Sequence, residues 1–585
     1  MSPWGALLPA AVLAPLLLAA GTAWPGTRAA ALRLAPWAAG PGLLAALILP
    51  QGTAVSGEWV LLGASLALDE TGRVFLGFTS LLWLLCGFYG RRYVTGDPRR
   101  VGFFAAFLLA MAGNLGLCVA GDVVGFYLGF ALMTFAAYPL VVHDRSPAAL
   151  AAGRLYIVLA VGGELLLFAG FALLVDAAGT LILPEAAVRL ADSPRRGLVT
   201  LLLFLGFGVK AGTVPLHLWL PLAHPAAPTP ASAVLSGAMI KAGLLGWLRF
   251  LPLGEAALPG LGLAAVGVGL AGAFYGVLAG LPRQDPKAVL AYSSVSQMGL
   301  MTLVVGLGLA APETWPAGSA AACAYALHHG LAKGALFLGV GVAPGPAGWG
   351  RPRLALALGL GLPALSLAGA PFTSGAAAKA ALKAAASSPG AWSAWPAGAV
   401  WLGWLLPLAA VGTTVLLARF LVLVWSRPRE ASGDRPSPGG LAGPWALLVL
   451  ASASAAWVGP AAAHGAPDFW ASLGPVGVGA AGALGVCLAG RRLGLRLPVG
   501  PVVDLSGRAA GLASRWGAFS RRAAGALDRA GRDLEGLALG VSRGTARRLQ
   551  AAEACLGRWA PLGVAFLLAA LVQWGLFLWR GAGEG

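Results

Sequence analysis

The sequence predicts an all-α polytopic membrane protein of about sixteen transmembrane helices. Two observations carry this. Hydrophobic residues fill 58% of the 585 positions and charged residues only 11%, where a soluble domain has about a quarter charged. Apolar stretches of roughly 20 residues, the length that crosses a bilayer, follow one another with short polar breaks. A water-soluble fold would have no polar surface to show. The 86 glycines and 41 prolines fit packed spans, where small residues let helices approach closely.

In chain order the spans fall at 5–21, 28–49, 73–90, 101–120, 122–142, 153–174, 197–213, 230–251, 256–281, 288–310, 317–340, 354–385, 396–425, 443–462, 472–490 and 559–579. The segment 58–68 runs into the third span, as its extension or as a span of its own. The opening MSPWGALLPAAVLAPLLLAAG has no Lys or Arg before its apolar stretch, so it reads as the first span rather than a signal peptide. Residues 1–100 thus hold N-terminal helices and 443–490 later ones.

Charge sets the orientation. With the N-terminus outside, RRYVTGDPRR, HDRSP, LPRQDPK, GWGRPR and WSRPREASGDRP lie inside, whereas GLAAPETWPAG and GPAAAHGAPDFW lie outside without Lys or Arg. The exception is the outer loop around 175–197, with Arg189, Arg195 and Arg196. The net charge of +18 comes from arginines spread over loops and gathered near the C-terminus without aromatic interleaving. That is orientation in a cell (inner) membrane, not nucleic-acid binding.

Residues 501–558 differ from the rest. Arg508, Arg515, Arg522 and Arg529 recur every seven residues, and Leu512, Trp516, Phe519, Leu527, Leu534 and Val541 fall on another face. This predicts a basic amphipathic helix on the membrane surface, on the order of 80 Å long at 1.5 Å per residue. Gly531, Gly536, Gly540 and Gly544 are places where it can break, and a cytoplasmic linker is the alternative. A final span and tail occupy 559–585.

The five cysteines (Cys86, Cys118, Cys323, Cys487 and Cys555) form no CxxC or Cys/His cluster. There is no GxGxxG turn after a strand and no haem attachment motif. The chain is therefore expected to bind no cofactor or metal, and any redox groups belong to other chains.

Of 40 basic residues only six are lysines, namely Lys210, Lys241, Lys287, Lys333, Lys379 and Lys383. A buried lysine can give up its proton, which arginine cannot do. Snorkelling at helix ends accounts for Lys287, beside Asp285, and for Lys383. It does not account for Lys210, Lys241, Lys333 and Lys379, whose neighbours are apolar or small. Charges at mid-bilayer are costly and are usually functional. His217, His224, His328 and His329 sit near these lysines, and His329 and Lys333, four apart, share a helix face. Glu164, in AVGGELLLFAG, is the carboxylate that falls well within a predicted span and needs a cationic partner. Asp69 and Asp122 lie near span ends. In GVKAGTVPLHLWLP, Pro215 follows Lys210; in AGAPFTSGAAAKAALK, Pro371 precedes Lys379. Both segments read as broken helices, which point to an internally repeated transporter fold.

These segments resemble the antiporter-like subunits of respiratory complex I, membrane-bound hydrogenases (formate hydrogenlyase among them) and multi-subunit cation/proton antiporters. The resemblance is carried by GFGVKAGTVPLHLWLPLAHPAAPTPASAVLSGAMIKAG, DPKAVLAYSSVSQMGL, HHGLAKGALFLGVG and LAGAPFTSGAAAK, within roughly 65–425. It implies two inverted five-helix repeats, 101–251 and 256–425, around a polar axis. It places Lys210 in the first broken helix, His224 in the loop before Lys241, His329 and Lys333 at the bridge between halves, and Lys379 in the second broken helix near the exit. It likens the amphipathic stretch and last span to a lateral helix bracing neighbouring subunits. Two departures stand out. Ala131, in YLGFALMTFAAYP, replaces the usual fifth-span Glu, so Glu164 is expected to pair with Lys210 instead. Tyr325 stands where a second His often precedes His329.

The function expected is a proton-translocating, non-redox subunit of a complex I-like or hydrogenase-like complex. Its partners are other membrane and peripheral subunits, the lipid bilayer, and protons or sodium ions. Changes of charge at Glu164–Lys210 would drive protons through Lys241, His329 and Lys333 to Lys379, with His224, His328, His217, Lys383 and Asp69 secondary. The alternatives are a sodium/proton antiporter subunit and a coupling subunit for a non-redox partner such as an inorganic-carbon uptake system.

Overall fold

The computed structural model describes residues 3–57, 63–343, 353–388, 390–393, 395–426, 438–455, 457 and 468–493. The expected lateral helix and last span lie outside them. The helices below belong to one compact unit.

Three N-terminal helices, Leu7–Gly21 (α1), Pro25–Leu34 (α2) and Gly40–Ile48 (α3), precede two short strands, Ala54–Gly57 (β1) and Ala64–Ala67 (β2). The strand Ala64–Ala67 shows that the apolar run before the third span is not a helix of its own. Then come Glu70–Tyr93 (α4), Arg100–Val119 (α5), Val123–Val141 (α6), Pro147–Ala178 (α7) and the short Leu183–Ala191 (α8). The next two spans are fragmented. Arg196–Ala211 (α9) and Leu220–Ala226 (α10) share one, and Thr229–Val234 (α11) and Lys241–Phe250 (α12) the other. Pro259–Gly280 (α13), Pro286–Ala310 (α14) and Trp315–Val342 (α15) are continuous. Arg353–Ala368 (α16) and Ser374–Ala386 (α17) are again two pieces of one expected span, followed by Ala397–Ser426 (α18), Pro438–Ser454 (α19) and Phe469–Leu493 (α20).

The starts are written in the sequence. Asp69, Asp122, Ser146, Asp285 and Thr373 each accept a hydrogen bond from the backbone N–H three residues on, capping α4, α6, α7, α14 and α17. Proline follows Ser146 and Asp285 at the first helical position, where its missing N–H costs nothing.

Packing rests on small residues. A Cβ on Gly269 would lie 2.6 Å from the Gly299 carbonyl, and one on Gly299 would lie 2.5 Å from that of Gly269. Helices α13 and α14 therefore touch backbone to backbone. All 25 residues of α14 are buried, as is most of 229–250. Residues such as Leu165, Phe168, Leu362 and Trp404 face outward. The core is thus formed by the lysine-bearing middle spans, and the outer helices turn apolar side chains to lipid.

Among the described residues twelve helices are long and apolar enough to cross a membrane. Helix α15 is as long as a span, and its histidines and lysine lower its hydropathy; α16 and α19 are short and apolar. Two of the three arginines of the exceptional outer loop are paired locally, Arg189 with Glu185 at 2.9 Å and Arg195 with Asp176.

Candidate ion-translocation site

Helix α9 ends one residue after Lys210. Gly212 takes the left-handed conformation (φ +74°) that stops it, and Pro215 cannot resume it. The freed Val209 carbonyl accepts a 2.8 Å hydrogen bond from Trp219 Nε1, and Gly208 O accepts one from Thr213 Oγ1 at 3.0 Å. At this end Lys210, 4% exposed, donates to Tyr156 Oη at 3.1 Å, while Tyr156 donates to the Thr134 carbonyl at 2.7 Å. The rings of Tyr156 and Phe130 flank the ammonium, with centroids at 5.5 and 5.9 Å.

Glu164 lies in the same small cavity as Lys210, lined also by Thr134, Tyr156 and Phe130. It makes no direct ion pair with Lys210, however. Both its carboxylate oxygens are buried without a hydrogen-bond partner. The expected pair is thus a juxtaposition across a gap, with Tyr156 holding the lysine.

Lys241 follows a π-helical segment, Leu235–Met239, and donates to the Ser236 carbonyl that this wider turn leaves available. Ser236 Oγ and Ser294 Oγ lie 2.8 Å apart, which joins this point to α14. Lys333, on α15, donates to the Leu290 carbonyl at 2.7 Å and to Ser293 Oγ. Lys241 and Lys333 are both completely buried. His329 and His224 lie within Coulombic range of both, and neither imidazole has a hydrogen-bond partner on either nitrogen. His224 stacks on Phe337 at 4.5 Å.

Next to these is His328, whose Nδ1 lies 2.9 Å from Ser374 Oγ, with Ser366 Oγ 3.1 Å from Ser374 Oγ. Helix α16 ends at Ala368, Gly369 turns the chain with φ +91°, and Thr373 caps the start of α17. Lys379 donates to the Ala368 carbonyl freed by this break. It opens onto a cavity of about 580 Å³ that Lys383, Asp468 and Trp470 also line.

The secondary residues separate. His217 is fully buried against Tyr275, with ring centroids 4.8 Å apart, away from the lysines' hydrogen bonds. Lys383 is exposed. Asp69 caps α4 and pairs with Arg249 at 2.8 Å. The same guanidinium donates to the carbonyls of Leu117, Cys118 and Ala120 at the end of α5, a structural clamp.

Lys287 corrects an expectation. It does not snorkel, but is buried and donates to the Ala227 carbonyl at 2.7 Å. Its ammonium is turned to the bend between α10 and α11, a tertiary contact that its loop-like sequence setting hides. Tyr156 and the serines were also missed, because hydroxyl residues in apolar spans carry no distinguishing period. Tyr325, where a second His was expected, donates to Gln297 Oε1 at 2.8 Å; Gln297 in turn donates to Thr413 Oγ1 at 3.1 Å.

Residues 120–402 match the family described as NADH:quinone oxidoreductase/Mrp antiporter, TM. Hydrogenase-4 component B of Escherichia coli (strain K12) is 34% identical over 289 residues, covering 47% of this chain and 43% of that protein. A Na(+)/H(+) antiporter subunit of Alkalihalophilus pseudofirmus is 28% identical over 291 residues, covering 49% of this chain and 58% of that protein. The chain spans less than half the length of the first of these relatives. A chain of the Mrp complex from Dietzia sp. DQ12-45-1b superposes with a TM-score of 0.67 at 26% identity, covering 96% of this chain and 62% of that one. By its matched region, its membrane-spanning helices and this likeness in fold, the protein resembles the antiporter-like membrane subunits of the NADH:quinone oxidoreductase/Mrp antiporter family.

Proposed function

We propose that the chain is a proton-translocating subunit of a complex I-like or hydrogenase-like membrane complex. In this reading two inverted five-helix repeats, 101–251 and 256–425, flank the axis Glu164–Lys210–Lys241–His329–Lys333–Lys379. The observation that carries it is the partner set of the axis lysines. Lys241, Lys333 and Lys379 each donate to a backbone carbonyl, and Lys333 and Lys210 also to a hydroxyl. Such partners accept from an ammonium and leave it free to become an amine, which a carboxylate salt bridge would oppose.

Each change of charge at Glu164 and Lys210 drives protons onward from Lys241, because buried like charges repel strongly at low dielectric. The unpartnered imidazoles of His329 and His224 supply bases between the lysines. The chain's part is non-redox and it holds no cofactor; its partner subunits supply the driving reaction.

A sodium/proton antiporter role is the second reading, favoured by the likeness to the Na(+)/H(+) antiporter protein of Alkalihalophilus pseudofirmus and to the Mrp complex. The donor set argues for protons. A hard cation wants oxygen ligands, and the carbonyls of Ser236, Leu290 and Ala368 and the hydroxyls of Tyr156 and Ser293 already accept from the lysines.

In membrane vesicles carrying the native complex, Lys210→Met or Lys379→Met should lower proton flux by at least tenfold. Wild-type flux in either variant defeats the reading. Flux that requires sodium in the wild type selects the antiporter.

A further inference from the structure

The ends of α4, α6, α10 and α14 and the loops beside them surround a second cavity, of about 500 Å³, that the axis above does not use. Its walls are polar. Tyr93, Asp97, His143, Asp144, Asp285 and Lys287 line it together with the segment Pro225–Thr229. The loops that form it, RRYVTGDPRR, HDRSP and LPRQDPK, are the arginine-rich ones that orientation puts inside. The Lys379 cavity is lined by Asp468 and Trp470, from the loop that orientation puts outside. The two cavities therefore open to opposite faces.

At the inside cavity His143 Nε2 meets Asp97 Oδ2 at 2.8 Å, with the imidazole 8% and the carboxylate 29% exposed. The backbone N–H of Arg99 donates to Asp97 Oδ1 at 2.7 Å, and its guanidinium donates to the carbonyls of His143 and Asp144. Phe103 packs edge-on against the imidazole at 5.4 Å. The charged groups facing the pair are thus Arg99 on its own loop, Asp144 beside it, and Asp285 and Lys287 from the start of α14; Tyr93 adds a phenol. Inward, Lys287 donates to Ala227 O in the cavity wall. One residue before Pro225 stands His224, with both ring nitrogens unpartnered and Lys333, Lys287 and Lys241 in Coulombic range.

We propose that this cavity is the inside mouth of the path, and that the Asp97–His143 pair is its proton-collecting group. The reading rests on the proposed translocation of protons. The imidazole takes a proton from the inside solution and becomes imidazolium, held by the Asp97 carboxylate. It then passes the proton into the cavity and returns to its neutral form, while Lys287 and His224 mark the way to Lys241 and Lys333. Proton count is conserved at each step, and no other reactant is needed. Collecting matters most when protons are scarce.

The test uses everted vesicles carrying the native complex, so that the bath sets the pH at the inside mouth. His143→Gln, which keeps an amide donor for Asp97, and Asp97→Asn should each cut flux three- to tenfold at pH 8. Near pH 6 they should leave it within twofold of wild type, moving the profile about one unit to acid. Asp97→Glu should restore it in part. Superimposable profiles, or an equal loss at every pH, overturn the proposal; the equal loss marks a merely structural pair. Lys379→Met is measured alongside. If it abolishes flux while the pair's variants leave the profile unmoved, only the inside mouth fails. If Lys379→Met conducts, the function and the mouth fall together.

Discussion

At the scale of single residues, Tyr156 matters most to the first half of the axis. It accepts from Lys210 and is itself fixed by the Thr134 carbonyl. A hydrogen bond to a charged group contributes about 1.5–3 kcal/mol. Tyr156→Phe should therefore leave the fold intact and slow flux severalfold, read as proton uptake in vesicles at matched protein abundance. Unchanged uptake would mean that Lys210 does not depend on this hydroxyl. Glu164 is a sharper case, since its oxygens are buried and unpartnered beside an ammonium. Glu164→Gln removes the charge and keeps the shape. If translocation is unaltered in that variant, Glu164 has not taken over from the carboxylate that Ala131 replaces.

Elements decide where those residues can act. Both breaks put a carbonyl without its helical partner into the core, and each carbonyl is claimed differently. Trp219 takes Val209 O, whereas Lys379 itself takes Ala368 O. Gly369 makes the second arrangement possible, because a Cβ there would lie 2.8 Å from Lys379 Cδ and would also have to accept φ +91°. Gly369→Ala should thus displace Lys379 and lower flux toward the level of Lys379→Met, in the same vesicle assay. The breaks were legible in the sequence, since proline near lysine in an apolar span has few other meanings. The π segment before Lys241 was not, because its wider turn carries no marker in LSGAM. It forms where residues 235–239 pack against α15.

Over the whole molecule, burial sorts the charges. Lys210, Lys241 and Lys333 are buried and Lys379 half-buried, while the carboxylate of Asp97 is 29% exposed. Partial burial pushes the Asp97 carboxyl up, but the His143 hydrogen bond and the Arg99 backbone donor more than offset this and hold it below its usual range. A carboxyl lowered in the folded state stabilises the fold above its unfolded pKa, about 3.9, and that stability is lost as pH falls through the lower folded value. The melting temperature of detergent-solubilised wild type should therefore fall more steeply than that of Asp97→Asn as pH drops below about 4. Parallel curves would show that the pair does not contribute to stability.

Composition and span length were enough to establish a predominantly helical membrane-spanning chain, because a bilayer punishes exposed polar backbone everywhere along the chain. The restriction of lysine to 210–383, together with the two proline breaks, was enough to nominate the axis. Tertiary structure alone decided who meets whom. It separated Glu164 from Lys210 by a gap, gave Lys210 to Tyr156, took Lys287 into the core, and joined Asp97 to His143 across 46 residues of sequence. These are contacts between helices far apart in the chain. Periodicity reports which face of a helix is buried, but not which neighbour fills it.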